Sequence, residues 1–535
     1  MTTIDHVPLI LIRGFGGLDI GDERRVAYQG FNDGTVYPQK RGENYIYEGL
    51  ILKYLKSHWR YHDATNVVGY YTTPIIDRGD LPEALKLLDP KYFTGHRIII
   101  DPGTALELIT SHEDPRRSLW VFRYYDLDDR SFKTYGEALV RLIDFVRDLT
   151  VVKSGQPKPP VNIIAHSMGG LVVREAIQCT YPAQRRRAED AINKVVTLGT
   201  PHKGVSFQGI RDWKIVDAQD ELERFNPEAQ ADPRNPWAYV NFAKHFPPQR
   251  LLTVVGTNYR SYSSRIASAL NRFFSTPQEP GASYNRSDGL VKQTAAQLPG
   301  APRTFVHKCH GGFDSLVTAR ESFEVSTRFF HGDLYARLHM LEASITRGFD
   351  WFGKSEMFFG VSIKPRRVDF ELFHQSAEAE NCYGPFHTKD LSDAIDETSG
   401  FPWAGPDRLI WEGWLDTGRI ALPGVEPTSP RNRRDIVMRL DVYVGERDLL
   451  GIGFSDNVIF RKQYYLRAAV PEGREIGKSF ENLELFVYSH ENFADAHGAD
   501  TQTLTLTNGM WPLVVKGTGF KATLGFALGH VRKDG

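Results

Sequence analysis

Through about the first 335 of its 535 residues, the chain alternates short apolar runs with segments of helical spacing. This alternation is typical of a parallel sheet whose strands are connected by helices. Strands are predicted at Leu9–Ile12, Leu119–Tyr124, Val161–Ala165, Val195–Leu198, Leu251–Val255 and Thr304–Val306. Helices are predicted at Ile46–Ser57, Tyr135–Leu149, Gly169–Gln178 and Ser315–Phe330.

Beyond about residue 350 the apolar positions recur every second residue. Val368–Leu372, Met438–Val444 and Phe520–Leu528 alternate in this way, and Asn508-Gly509 is a strong hairpin signal. Because such alternation leaves one polar face, it indicates antiparallel sheets packed over a single core. We therefore predict an α/β domain over residues 1–335 and a β-sandwich over residues 350–535. The sandwich is interpreted as a rigid accessory domain, with binding of lipid or of a protein partner as the alternative.

Two connections are longer than a minimal α/β unit needs, at about residues 18–115 and 205–248. Long insertions of this kind usually form lids or walls of a substrate site. A third segment, Ser264–Phe274, places Ile266, Leu270 and Phe273 on one helical face. That face fits either a lid that opens onto lipid or an ordinary helix packed on the core.

Composition narrows the classes of function. Lys plus Arg number 65 and Asp plus Glu 66, so the net charge of −1 gives no support for nucleic-acid binding. No apolar run approaches the length that spans a bilayer, and the N-terminus lacks the pattern of a secretory signal. The expected location is therefore cytoplasmic, or outside the cell after export without a signal peptide. The three cysteines are odd in number and far apart, which predicts a reducing compartment. The sequence has no CxxC pair and no spaced Cys/His set of the kind that binds zinc, so no metal site is expected, and no cofactor is expected either.

The candidate chemistry begins at Ser167, which follows the apolar run Val161–Ala165 and precedes a helical stripe. A serine hydroxyl becomes a useful nucleophile when it is exposed, aimed and next to a base. A sharp strand-to-helix turn does this, and it leaves little room two residues to either side. Those two positions are the small residues Ala165 and Gly169. We interpret the turn as a nucleophile elbow.

The serine also needs a base and an orienting carboxylate, which in this sheet architecture follow it in the order acid, then histidine. Asp288 comes after the strand Leu251–Val255, and His310 comes directly after Thr304–Val306. His307 is the alternative base, but the Gly-Gly after His310 fits an exposed loop tip. Asp314 is the alternative acid, although a position capping the next helix suits it better. His166 and His202 are expected to support packing and the wall of the site.

An oxyanion hole needs two backbone donors. One is predicted to be the N–H of Met168, which follows the serine. The other is predicted to be the N–H of Phe15, in the glycine-rich loop after the first strand.

Four motifs together carry a family resemblance: Ile12-Arg-Gly-Phe-Gly-Gly, Ala165-His-Ser-Met-Gly-Gly, Leu198-Gly-Thr-Pro-His-Lys-Gly and Ser287-Asp-Gly-Leu-Val. In this order they resemble an α/β-hydrolase of the lipase type, closest to bacterial triacylglycerol lipases and the PGAP1-like inositol-deacylase group. The resemblance covers roughly residues 8–331 and implies Ser167, Asp288 and His310 as the triad, with Phe15 and Met168 as oxyanion donors. Lipases usually have His-Gly where this chain has Arg13-Gly14. The extra positive charge favours a substrate that carries phosphate or carboxylate.

The sequence therefore predicts a serine ester hydrolase acting on acyl lipids, with transient contact to a membrane surface. Within that class, a phospholipase secreted without a leader, an inositol-deacylase-like enzyme and a cytosolic esterase share the same residues. The alternative from another class is a binding or scaffolding protein built on an inactive hydrolase frame.

Overall fold

A computed structural model describes residues 6–14, 50–64, 68–71, 79, 81–93, 98–100, 102–122, 124, 131–205, 219–261, 286–312, 314–346, 355–365, 368, 370–376, 378–386, 391, 408–416, 436–448, 457–469, 483–488 and 501–531. The chain divides into two compact units. The first holds residues 1–275, 281–302 and 308–326, and the second holds residues 276–280, 303–307 and 327–535. The predicted domain limits at residues 335 and 350 remain a prediction.

A seven-stranded sheet organises the α/β part, in the order β2-β5-β1-β6-β7-β8-β9. Its pairs from β2 through β8 are parallel. Every residue of the central strands β1 and β6 is buried, as expected for a sheet covered on both faces. The strands are β1 Leu9–Ile12, β2 His62–Asp63, β5 Ser118–Phe122, β6 Val161–His166, β7 Ile192–Leu198, β8 Leu251–Gly256 and β9 Arg303–Val306, and a separate antiparallel pair is β3 Val68–Tyr71 with β4 Ile98–Ile100.

Helices occupy the connections between these strands. The longest helix, α3 (Phe132–Ser154), buries Leu139, Leu142 and Phe145 on the predicted face. Its C-cap is Gly155, which has a left-handed backbone with φ 66°. Burying each such side chain stabilises the fold by about 1.5–3 kcal/mol. The helices are α1 Leu50–Lys56, α2 Pro102–Thr110, α3 Phe132–Ser154, α4 Met168–Glu175, α5 Tyr181–Ala183, α6 Gln219–Leu222, α7 Pro227–Ala231 and α8 Arg320–His331.

The C-terminal part is a β-sandwich of two antiparallel sheets. One sheet has the order β14-β10-β20-β19, and the other has the order β12-β11-β15-β16-β17-β18 with β13 beside β11. The strands are β10 Leu334–Ile345, β11 Ser355–Pro365, β12 Phe373–His374, β13 Tyr383–Phe386, β14 Leu409–Leu415, β15 Ile436–Asp448, β16 Asn457–Ala469, β17 Glu484–Tyr488, β18 Thr501–Leu504, β19 Trp511–Lys516 and β20 Phe520–His530.

Two of the predicted β elements differ from the structure. Val368–Leu372 is not a strand where it is described, because the chain turns back after β11 and pairs with it only at β12. Asn508 and Gly509 do form a tight turn, with φ 51° and 78°, closed by a bridge between Thr507 and Met510. That turn connects β18 and β19, which belong to different sheets, so it does not close a two-stranded hairpin.

Parts of the predicted lid segments lie outside the described residues. Ser264–Phe274 and the apolar stretch 207–216 are both outside them. In the second insertion, residues 219–250 are described and contain α6, α7 and short 3₁₀ turns. Among the helices in the described part of the chain, none has the length and apolar character that crossing a bilayer requires.

Candidate active site

Ser167 stands at the turn between β6 and α4. Its backbone has φ 52° and ψ −126°, a conformation that a residue with a side chain rarely adopts. The turn is held in place because the Ser167 N–H donates to the Leu198 carbonyl at 2.9 Å and the Thr200 hydroxyl donates to the Ser167 carbonyl at 2.9 Å. Strain of this kind persists where the surroundings over-determine the backbone, and it is common at active sites. The side chain stays partly exposed.

The small residues around the serine have a steric reason. A Cβ at Gly169 would come within 2.6 Å of the Arg13 carbonyl oxygen, and one at Gly170 within 2.1 Å of Thr200 Oγ1. On the other side, Ala165 is fully buried. The turn therefore leaves no space for a larger residue, as its sequence pattern indicated.

Gly169 gives the first testable prediction. It lies in α4, where alanine normally stabilises a helix by about 0.5–1 kcal/mol relative to glycine. Here we expect Gly169→Ala to destabilise the protein by about 1–3 kcal/mol, because the methyl group overlaps backbone oxygens that cannot rotate away. Denaturant unfolding measures the difference. The control is Gly79→Ala, since no atom within the described ranges lies within 4 Å of a Cβ built there. A stabilised Gly169→Ala protein would contradict the packing.

The structure brings Ser167, His310 and Asp288 together in one hydrogen-bonded chain. His310 Nε2 lies 2.8 Å from Ser167 Oγ, and His310 Nδ1 lies 2.8 Å from Asp288 Oδ2. The second carboxylate oxygen, Asp288 Oδ1, accepts the N–H groups of Leu290 at 3.0 Å and Val291 at 2.8 Å. These bonds fix the carboxylate, which orients the imidazole with its Nε2 toward the serine.

Two glycines enclose the acid and the imidazole. A Cβ at Gly199, which has φ 56°, would lie 2.8 Å from Asp288 Oδ2 and 3.2 Å from His310 Nδ1. A Cβ at Gly256 would lie 2.6 Å from Asp288 Cβ. Asp288 and His310 are only 1% and 4% exposed, so the pair is shielded from water on the sheet side.

The alternative base and acid are placed elsewhere. The His307 ring lies edge-on to the His374 ring at 6.4 Å. Asp314 Oδ1 pairs with Lys308 Nζ at 2.6 Å. The helix that Asp314 was predicted to cap begins only at Arg320, because residues 315–319 form a turn.

The two other histidines of the motifs are buried and hydrogen-bonded. His202 Nε2 lies 3.0 Å from Thr197 Oγ1, and burial, reinforced by Arg174 and Lys203, holds the pKa of His202 well below its usual value. His166 Nε2 lies 2.8 Å from the His310 carbonyl oxygen. Burial lowers the pKa of His166 to about 3, and the charges of His310 and Arg13 add to the shift.

Of the two predicted oxyanion donors, Met168 and Phe15, the structure describes only Met168. Met168 is the first residue of α4, where backbone N–H groups have no partner within the helix. Phe15 lies outside the described residues. The loop that leads to it does approach the serine, because a Cβ at Gly14 would come within 2.8 Å of Ser167 Cβ. Arg13 is fully buried, and the anionic substrate that its charge favours stays a prediction.

The cysteine beside the histidine is not placed as a nucleophile. Cys309 is 1% exposed, and its thiol lies 3.2 Å from the Gly311 carbonyl oxygen and 3.1 Å from that of Asp314. Burial raises the pKa of the Cys309 thiol to about 12, and the charges of Asp288 and Asp314 raise it further. The thiol is therefore protonated at neutral pH and is not exposed as a nucleophile.

Sequence reasoning missed an arginine that anchors the second insertion to the helix behind the serine. The Arg174 side chain, 2% exposed, donates to the His202 carbonyl at 2.8 Å, to Gln230 Oε1 at 2.9 Å and to the Trp237 carbonyl. One turn further on, Gln178 Nε2 donates to the Ala238 carbonyl at 2.8 Å. The spacing of four positions puts Arg174 and Gln178 on the same face of the helix, but it does not identify the segment that they bind.

The parallel sheet, the strained turn and the helix behind it give the N-terminal part of this chain an α/β-hydrolase-like fold. Within it, residues 110–246 match the model of the PGAP1-like alpha/beta domain family. The match spans well under half of the chain and includes Ser167 but neither Asp288 nor His310. No curated protein sequence is significantly similar to the chain.

Several solved structures are similar at low identity. The lipase BlEst2 of Bacillus licheniformis is 15% identical, with 42% of this chain and 86% of that one covered and a TM-score of 0.27. The lin2722 gene product of Listeria innocua is 14% identical, with 61% and 94% covered and a TM-score of 0.28. Phospholipase PlaB of Legionella pneumophila, in complex with thio-NAD, is 10% identical, with 73% and 90% covered and a TM-score of 0.29. TM-scores this low do not establish that this chain and the three structures share a fold.

Proposed function

We propose that the protein is a serine ester hydrolase that acts on acyl lipids, with Ser167 as nucleophile, His310 as general base and Asp288 as orienting acid. The observation that carries the proposal is the unbroken path from Ser167 Oγ through both His310 nitrogens to Asp288 Oδ2, with 2.8 Å at each step. An inactive binding frame has no physical need for this alignment. The α/β-hydrolase-like fold of the N-terminal part supports this proposal.

The first half of the proposed reaction forms an acyl-enzyme. Ser167 Oγ attacks the ester carbonyl carbon while its proton passes to His310 Nε2, and the imidazolium is stabilised by the Asp288 carboxylate. The carbonyl oxygen becomes an oxyanion, for which Met168 N–H at the start of α4 supplies a fixed donor. Collapse of the tetrahedral intermediate breaks the bond to the alcohol oxygen, which takes the proton from His310 Nε2 as it leaves.

The second half regenerates the enzyme. Water attacks the acyl carbon and gives one proton to His310 Nε2. The second collapse breaks the bond to Ser167 Oγ, which takes that proton back, and releases the carboxylic acid. The steps need neither metal nor cofactor, and the protons that Ser167 gives up and takes back move along its hydrogen bond with His310 Nε2.

The test combines active-site labelling with lipid profiling. We expect a fluorophosphonate probe to label Ser167, as located by peptide mass spectrometry, because the probe reports an activated serine. We expect free fatty acid when the protein is incubated with acyl-lipid vesicles or emulsions. Matched samples of phosphatidylcholine, triacylglycerol and acylated phosphatidylinositol vesicles identify the ester. Lysophospholipid would assign a phospholipase, whereas loss of only the inositol-linked acyl chain would assign a deacylase. Absence of both labelling and fatty acid would leave the scaffolding alternative.

A further inference from the structure

His166, the last residue of β6, touches the histidine loop although it is not one of the three proposed catalytic residues. Its side chain is buried, with 3% exposure, and its ring centroid lies 5.0 Å from that of His310. Its Nε2 lies 2.8 Å from the His310 carbonyl oxygen. A carbonyl oxygen only accepts, so Nε2 carries a proton and donates it.

The other ring nitrogen faces a different loop. His166 Nδ1 is near Gly14, close enough that a Cβ there would come within 2.8 Å of it. The ring therefore lies between the loop after β1 and the loop after β9. Burial keeps the ring neutral at neutral pH. A neutral ring suits the position, because a positive charge 5.0 Å from the His310 ring would oppose imidazolium formation there.

The bond from His166 completes the fixation of the His310 backbone. The His310 N–H donates to the Asp288 carbonyl at 2.8 Å, and the His310 carbonyl accepts from His166. Both main-chain groups of the proposed base are thus tied to the acid and to the neighbour of the nucleophile. Because His166 is covalently joined to Ser167, this bond forms a closed path with the bond from His310 Nε2 to Ser167 Oγ.

We propose that His166 is a positioning residue, which holds the backbone of His310 so that Nε2 stays within hydrogen-bonding distance of Ser167 Oγ. This rests on the proposed ester hydrolysis. Its contribution is geometric, since His166 neither exchanges a proton with the substrate nor touches the reacting atoms.

The experiment compares His166→Gln with His166→Met. The two replacements have the same length and are unbranched, but only glutamine places an N–H donor near the position of Nε2. We expect His166→Met to lower kcat by about 10–10²-fold, since a small misplacement of reacting groups has an effect of this size. KM should stay near the wild-type value, because no substrate contact is lost. His166→Gln should recover most of the lost kcat.

Rates are measured with a p-nitrophenyl acyl ester. They are divided by the concentration of folded protein, which is determined from the amplitude of cooperative unfolding. The rate of fluorophosphonate labelling at Ser167 is measured on the same samples and should follow kcat. Wild-type kcat in His166→Met would overturn the proposal, and so would equal losses in both variants. Where His166→Met does not fold, His166→Asn replaces it, since its amide is too short to reach the carbonyl. An inactive wild-type protein, or full activity in Ser167→Ala, would instead refute the proposed function.

Discussion

Ser167→Ala is expected to lower kcat for acyl ester hydrolysis by about 10⁶-fold, the scale seen when a triad serine is removed. The variant keeps the strained turn, since alanine meets the same backbone at φ 52°, and loses the hydroxyl that lies 2.8 Å from His310 Nε2. Fluorophosphonate labelling should disappear with the activity. The melting temperature should change little, because the lost side-chain bond is partly exposed.

A second serine provides a matched control. Ser362 Oγ lies 3.1 Å from His374 Nδ1, but it is on the antiparallel strand β11 and at no strand-to-helix turn. Ser362→Ala should therefore retain wild-type kcat. Residual activity in Ser167→Ala above about one-thousandth of wild type would refute Ser167 as nucleophile, and a comparable loss in Ser362→Ala would point to the wrong serine.

Asp288→Asn is expected to lower kcat by about 10⁴-fold, as occurs when a triad aspartate becomes an amide. Asp288 Oδ1 accepts two backbone N–H groups, from Leu290 and Val291. In the variant the amide oxygen must keep those donors, so the NH₂ group turns toward His310 Nδ1. That nitrogen then has to accept, which places the imidazole proton on Nε2. An Nε2 that already carries a proton cannot take one from Ser167 Oγ.

The measurement is steady-state kinetics with an acyl ester, beside Asp314→Asn as the control. Asp314 is on the same histidine loop but pairs with Lys308, so its loss should leave kcat within a few-fold of wild type. If Asp314→Asn falls as far as Asp288→Asn, the acid has been assigned to the wrong carboxylate. Retention of full activity in Asp288→Asn would remove the carboxylate from the mechanism.

Much of the α/β part follows from local pattern. A buried parallel strand is apolar on both faces, so β1, β6 and β8 stand out as short apolar runs, and chain order then selects Asp288 and His310. In contrast, β10 was not predicted, because a bulge between Met340 and Glu342 interrupts its alternation. The segment Val368–Leu372 alternates as a strand would, yet its described residues are not in a strand, and pairing with β11 begins only at β12.

The contacts around the site depend on distances that local pattern does not contain. His166 and His310 are 144 positions apart, and their bond exists only because β6 and β9 end on the same side of the sheet. Arg174 likewise reads as an ordinary helical cation until the insertion that it binds is in place. The convergence of Ser167, Asp288 and His310 could be predicted from sequence, whereas the groups that hold them in position could not.

The glycines at 199 and 256 bear on how this protein could be redesigned. With no space for even one methyl group beside Asp288, saturation libraries at these two positions should return only the parental residue among active clones. If the proposed ester hydrolysis holds, changes in acyl preference have to come from residues further away, such as the segment that Arg174 binds behind the serine. We therefore expect substitutions to be excluded at Gly199 and Gly256 and to be tolerated in the segment that Arg174 binds.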